Sequence, residues 1–181
     1  ALRLESAGEV AEMNTRALTS AAIAGVLRPL LQDVNMVSAP AVARERGILI
    51  EEVRREQQGA YENYVRLTVK TERQERSVGG TVFSDGKPRF IQIKGINIDA
   101  EIGRHMLYTT NRDEPGIIGM LGKTMGKHGV NIANFTLGRA APGGEAIALL
   151  YVDAPVAPEV IAELEASDMF QQVRPLEFDV A

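Results

Sequence analysis

Helical and strand rhythms alternate along this chain, and their sharpest junction lies between Asn111 and Arg139. That stretch, NRDEPGIIGMLGKTMGKHGVNIANFTLGR, reads as a strand end, a tight loop, one amphipathic helix, a glycine stop and a second strand. Ile117, Ile118, Leu121 and Met125 recur at helical spacing and predict one apolar face. Pro115 suits a first helical turn, where its missing N–H has no partner to lose. Asp113, just upstream, is then placed to accept hydrogen bonds from free N–H groups at the helix start. Lys127 and His128 put cations in the last turn, and Gly129 supplies the residue that tolerates a left-handed stop. Asn131 opens the next strand, so Asp113 and Asn131 are short polar side chains beside a helix, in a place suited to a small zwitterion.

The segments around this stretch complete a pattern. His105 to Thr110 alternates as a strand, Ala141-Pro142-Gly143-Gly144 is a turn, and Glu145 to Val152 is a nearly continuous apolar strand. Ala157 to Ser167 reads as a helix with Val160, Ile161 and Leu164 inward, and Leu176, Phe178 and Val180 alternate in a last strand. The order βαββαβ predicts a ferredoxin-like sheet with two helices on one face and the other face free for ligand or partner.

Residues 1–103 have their own organisation. LRLES is a short strand, and Thr15 to Leu31 predicts a long helix with Asn14 as N-cap and Pro29 as kink or end. Its expected inner stripe is Leu18, Ala22, Val26 and Leu30. A turn or short strand at Asn35 to Ser38 leads to a second helix from Pro40, stopped by Gly47. Ile48 to Val53 is a strand and Gln57 to Asn63 a polar loop. Strands follow from Tyr64 and from Arg76, where Gly79 and Gly80 suggest a bulge or a close backbone approach. The turn Ser84-Asp85-Gly86-Lys87 precedes a strand from Arg89 to Lys94, with one more from Ile96 to Asp99. The fold class expected is α+β: a small α/β domain with a mostly antiparallel sheet over 1–103, then a ferredoxin-like βαββαβ domain over 104–181.

Composition narrows the chemistry. The chain has 181 residues, 45% of them apolar, and a formal net charge of −4, so neither a nucleic-acid footprint nor a membrane span is expected. There is no cysteine, which excludes disulfides, thiol nucleophiles and thiolate metal sites. The two histidines, His105 and His128, are far apart and make no metal cluster; His128 reads as an exposed helix-end cation and His105 as structural. With no signal-peptide pattern, a cytoplasmic location is the default. No G-x-G-x-x-G follows a strand, and GIIGMLGKTMG lies inside a helix with the wrong spacing for a phosphate loop. Beginning at Ala1 and almost at once in a strand, the chain has the look of a piece of a larger protein.

The stretch from Met106 to Val180 resembles an ACT domain, a module that senses small molecules, often amino acids. RDEPGIIGMLGKTMGKHGVNIANFTLGR is very similar to the ACT domain of 3-phosphoglycerate dehydrogenases, and ALTSAAIAGVLRPLL and VNMVSAPAVARERGI resemble the intervening, allosteric substrate-binding domain of their long form. The resemblance implies the regulatory C-terminal part of an NAD-dependent enzyme of L-serine biosynthesis. The catalytic domain and its NAD would lie outside this chain, which needs no cofactor of its own. It implies L-serine, or a similar amino acid, at an interface between two ACT domains, as feedback inhibitor. The effector residues would be Asn111, Asp113, the backbone at Gly116 and Ile117, and Asn131, the last reaching the partner subunit's ligand. It also implies a homodimer, with a tetramer open to the full protein, and an anion site to which Arg44, Arg46, Arg89, Lys94 and Arg104 would contribute.

Plainer readings stand beside these. Asp113 serves equally as a helix cap, Asn131 as a turn residue, and each cation as a solvated surface charge. Two other functions remain open: the regulatory part of an iron–sulfur L-serine dehydratase, and a dimerisation module without ligand.

Overall fold

The computed structural model describes residues 1–56 and 61–180; residues 57–60 of the polar stretch read as a loop lie outside the described residues. The chain divides into two compact units, Ala1–Val82 and Phe83–Ala181.

The first unit holds β1 (Leu2–Ala7), α1 (Glu9–Glu12), α2 (Arg16–Leu27), α3 (Ala39–Glu45), β2 (Ile50–Arg55), β3 (Tyr64–Lys70) and β4 (Glu75–Val82). Its strands run in the order β2-β1-β3-β4, with β1 parallel to β2 and the other pairs antiparallel. The pairing of β3 with β4 runs through Gly79 and Gly80 without a bulge. Leu2 on β1 packs with Ile23, Ala24 and Leu27 of α2 and Ala39 and Ala43 of α3. The inner stripe of α2 is therefore Thr19, Ile23 and Leu27, one row over from the expected Leu18, Ala22, Val26 and Leu30. Leu18, off that stripe, is 38% exposed, and Leu30 is 76% exposed because the helix ends at Leu27, ahead of Pro29. On the face opposite Leu2, buried Glu5 is held by Arg55 at 3.0 Å, Arg66 at 3.3 Å and the Tyr64 hydroxyl at 2.9 Å.

The second unit holds β5 (Pro88–Ile93), β6 (Ile96–Glu101), β7 (His105–Arg112), α4 (Ile117–Lys127), β8 (Ile132–Arg139), β9 (Glu145–Val152), α5 (Pro158–Glu165) and β10 (Phe170–Glu177). From β7 onward the order is βαββαβ, and the antiparallel sheet runs β10-β7-β9-β8, the ferredoxin-like arrangement. One face carries α4 and α5: Leu107, Ala148, Leu150 and Val173 pack against Ile117, Leu121, Met125, Val160 and Leu164. Ile118, expected on that face, is 60% exposed, because Thr124 takes the remaining inward position.

The opposite face of this sheet is not free, as the pattern suggested. Met106, Ile147 and Leu149 bury against Ile96, Ile98 and Ala100 of the β5–β6 hairpin, with Phe90 and Phe178 alongside. The hairpin, which the pattern grouped with residues 1–103, packs into the second unit. It approaches so closely that a Cβ on Gly138 would lie 2.7 Å from the Asn97 carbonyl oxygen. No helix among the described residues is long and apolar enough to cross a membrane.

Leu121 sits at the centre of the α4 contact and is fully buried. Leu121→Ala is expected to cost about 2–5 kcal/mol, the lost transfer free energy plus the cavity term. Urea unfolding followed by circular dichroism measures it, and a loss well under about 1 kcal/mol would show that α4 does not hold this core together.

Candidate functional site

Strand β7 leads directly into the loop that precedes α4. Asn111 is 1% exposed near the end of β7, and its Nδ2 donates to the Arg112 carbonyl at 2.6 Å. Its Oδ1 is buried with no hydrogen-bond partner among the described residues, and the same holds for Oγ1 of Thr109 two residues earlier. A buried polar atom without a partner costs about 1–3 kcal/mol, so two on one strand face are a local weakness in the free chain.

Asp113 does not cap α4. Its carboxylate accepts from Arg139 Nη1 at 2.7 Å and from the Gly143 N–H at 3.2 Å, and its own N–H donates to the Gly144 carbonyl at 2.8 Å. It is therefore tied to the end of β8 and the turn that follows. The helix begins at Ile117, two residues beyond Pro115, with Gly116 as N-cap at φ 99° and no side-chain cap. Only glycine adopts that backbone without strain, and it leaves the first N–H groups of α4 without side-chain acceptors. Ile117 is 4% exposed and anchors this first turn in the core.

Asn131 lies elsewhere. Asn111 and Arg139 both register with Ala146 on β9, whereas Ile132 registers with Val152 at the opposite end of that strand. Asn131 and Arg139 thus bracket β8, roughly 26 Å apart at strand rise, and no single small amino acid touches both ends. At its own end Asn131 donates to Asp153 at 2.6 Å. Asn111, Asp113, Gly116 and Ile117 follow one another on the strand end and loop that lead into α4, and Asn131 lies at the other end of β8.

The five cations read as an anion cluster fall in different units. Arg44 and Arg46 end α3 in the first. In the second, Arg89 pairs with Asp85 at 3.0 Å, Lys94 pairs with Glu145, and Arg104 reaches Glu177 at 3.9 Å. Each of these three has its own carboxylate. Arg44 lines a cleft of about 700 Å³ with Arg16, Ser20 and Ile23 of α2. His128 Nε2 donates to the Glu163 carboxylate at 2.7 Å, at the end of α4 remote from Asp113.

The local pattern did not mark Arg139 and Thr109 as site residues. Arg139 meets Asp113 across 26 residues of sequence, a contact that alternation cannot show. Thr109 reads as an ordinary strand residue, and only its buried, unpartnered hydroxyl marks it.

The Arg139 hydrogen bond first, and then the Gly143 N–H, hold the Asp113 carboxyl below the usual carboxylate range. A lowered folded-state pKa adds stability above the unfolded value of about 4, and that stability is lost as pH falls through the folded value. Asp113→Asn is therefore expected to lower the thermal midpoint at neutral pH, with the difference from wild type shrinking in acid. A difference that stays constant from neutral pH to about pH 3 would show that the Arg139 pair does not favour the ionised form.

Comparison with known proteins bears on the chain as a whole. Residues 1–94 match the family model described as the D-3-phosphoglycerate dehydrogenase intervening domain. Over 92% of its length the chain is 35% identical to a D-3-phosphoglycerate dehydrogenase of Archaeoglobus fulgidus, covering 32% of that protein. Over 87% of its length it is 34% identical to the enzyme of that name in Bacillus subtilis, covering 30% of it. Over the same share it is 35% identical to that of Synechocystis, covering 29% of it. The chain spans about a third of the length of these curated relatives. With the family model matched over more than half of its residues, the chain belongs to the D-3-phosphoglycerate dehydrogenase family.

Proposed function

We propose that residues 104–181 form an ACT domain that binds L-serine, or a closely similar amino acid, between two copies of the chain and so regulates an NAD-dependent phosphoglycerate dehydrogenase. One observation carries this reading: an ionised carboxylate, Asp113, stands beside the uncapped N-terminus of α4. A free amino acid presents an ammonium and a carboxylate. Asp113 suits the first, and the N–H groups at Ile117 and after suit the second. The site holds no nucleophile paired with a base, so binding and not bond-breaking is its chemistry. Family membership favours this reading over the regulatory part of a serine dehydratase.

The separation of Asp113 from Asn131 supports a shared site. Strand β8 is the outer strand of its sheet. Antiparallel apposition of two β8 edges about a two-fold axis near Phe135 carries one copy's Arg139 end against its partner's Asn131 end. Each of the two equivalent sites then draws Asp113 from one chain and Asn131 from the other. Helix α4 contributes a second surface: Gly119, Gly122 and Gly126 lie on its outward side with no neighbour within 4 Å of an added Cβ. Helix-interior glycine costs about 1 kcal/mol relative to alanine, a cost that close helix approach between copies would offset.

Calorimetry with L-serine on the dimeric chain is expected to show saturable binding that Asp113→Ala or Asn131→Ala abolishes. Mixing those two variants is expected to restore about a quarter of the sites, because half of randomly paired dimers are mixed and each holds one intact site of two. No recovery on mixing, with exchange of chains verified, would place both residues in one chain's site. Absence of heat at millimolar serine with an intact dimer would remove the effector reading altogether.

Arg139 already occupies Asp113, so an incoming ammonium competes with it. Arg139→Gln is expected to tighten serine binding severalfold by calorimetry. Weaker binding in that variant would instead assign Arg139 to the ligand carboxylate.

A further inference from the structure

The turn that holds Asp113 is itself gripped at both ends. Gly138 and Glu145 flank residues 139–144, and each meets the tip of the β5–β6 hairpin. At the β8 end, a Cβ on Gly138 would fall 2.7 Å from the Asn97 carbonyl oxygen and 3.0 Å from Ile96 Cγ2, so the chain there leaves no room for a side chain. At the β9 end, the Glu145 carboxylate accepts from Lys94 Nζ. Between these points the Ala140 N–H donates to the Glu145 carbonyl and the Gly144 N–H to the Ala141 carbonyl, both at 2.9 Å. The Gly143 N–H and the Gly144 carbonyl are left to meet Asp113.

Lys94 stands where a lysine is uncommon. Ile93 registers with Ile96, so Lys94 and Gly95 make a two-residue turn, with φ of 54° and 80°. Positive φ at both positions is the type I′ geometry, whose first place favours Asn, Asp or Gly. A short amide can hydrogen-bond locally in the left-handed region, whereas a lysine stem cannot and is strained there. The hairpin by itself would be better served by Asn. What Lys94 supplies is reach, since its ammonium crosses to Glu145 at the start of β9. Its side chain is only 15% exposed, and an ammonium buried that far is costly unless it is paired. A strained residue that serves a long-range contact points to a role outside its own turn.

We infer that Lys94 is a positioning residue for Asp113: by holding Glu145 it fixes the 140–144 turn, and so sets the Gly143 N–H and the Gly144 carbonyl against the loop before α4. Its bearing on ligand binding rests on the effector reading given above. Arg139 supplies the charge that acts on Asp113, so an effect of Lys94 there passes through the turn. The chain leaving the first unit leads into the β5–β6 hairpin, and this hairpin and the Asp113 loop are fastened to one turn. Linkage then makes the dependence mutual: a ligand that draws Asp113 away from Gly143 loosens the hold on the hairpin tip, and release of the tip weakens the site.

The test removes the pair without changing net charge, in the whole chain carrying both Lys94→Asn and Glu145→Gln, with Asn in a turn position that suits it. Nuclear magnetic resonance follows the Asp113 carboxyl and the Gly143 amide against pH. In wild type the amide is expected to track the carboxyl, because the two are hydrogen-bonded. In the double variant the Asp113 midpoint is expected to rise toward the ordinary carboxylate value and the amide to lose most of its tracking, while Lys94→Arg, which keeps a long cation, retains both. A titration and tracking unchanged in the folded double variant overturn the proposal. So does a rise of the same size in Lys94→Arg, which would assign the effect to hairpin packing. Calorimetry with L-serine is expected to show severalfold weaker binding in the double variant, and wild-type affinity there also overturns the proposal. If wild type binds no serine, the effector reading falls, and the titration alone still decides whether Lys94 positions Asp113. Should the double variant fail to fold, Lys94→Asn alone decides through the Gly143 amide, whose tracking a change of charge by itself would leave intact.

Discussion

Strand β9 is buried on both faces, and the geometry of the second unit depends on that constraint. Ala148, Leu150 and Val152 face the two helices, while Ile147 and Leu149 face the β5–β6 hairpin. A one-residue slip in its pairing would turn each set toward the wrong neighbours, so the registers of β7 and β8 against it are strongly specified. Those registers decide which strand ends meet. Asn111 and Arg139 share Ala146 as neighbour, which brings the start of the loop before α4 to the end of β8. The polar site is thus positioned by an apolar strand that carries none of its side chains.

At the end of β8 one ion pair does several jobs. Arg139 and the Gly143 N–H hold Asp113, and the Asp113 N–H holds Gly144, so the turn after β8 and the loop before α4 are fastened together. With Asp113 committed there, the start of α4 is left to Gly116, and its first N–H groups, without a side-chain cap, keep the capacity to meet another acceptor. An Asp at the N-cap would have satisfied the helix and removed that capacity. Arg139 is 55% exposed, so its contact with Asp113 is an exchangeable one, suited to a site in which a charged ligand takes the place of a side chain.

Periodicity and turn chemistry made much of the fold legible. The βαββαβ order, the Gly129 stop and the buried stripe of Leu121 and Met125 follow from local spacing that packing reinforces. Failures came where a non-local contact outweighed a local preference. Asp113 reads as a cap because it precedes Pro115, yet a cation 26 residues away claims it. Leu18 and Leu30 read as core because leucine usually is, yet Ile23 and Leu27 form the stripe that meets Leu2. The second face of the ferredoxin-like sheet reads as free because a hairpin earlier in the chain, from another part of the pattern, is what covers it. The candidate site was legible as a set of residue types but not as a geometry: its members are close in sequence, except the one that lies a strand length away.

That distance bears on the proposed regulation. A ligand shifts a conformational equilibrium only by as much as it binds one state better than the other. A site contained in one loop would stabilise that loop and need not sense how two chains are arranged. A site whose ammonium acceptor and second polar contact belong to different copies is complete in one relative placement of the chains and incomplete in others. Its binding free energy is then differential by construction, and a coupling of about 1–3 kcal/mol, ordinary for effectors, requires only that one or two of its hydrogen bonds be lost when the copies shift. Asn131, held at the far end of β8, is the residue through which that dependence on a second copy would act.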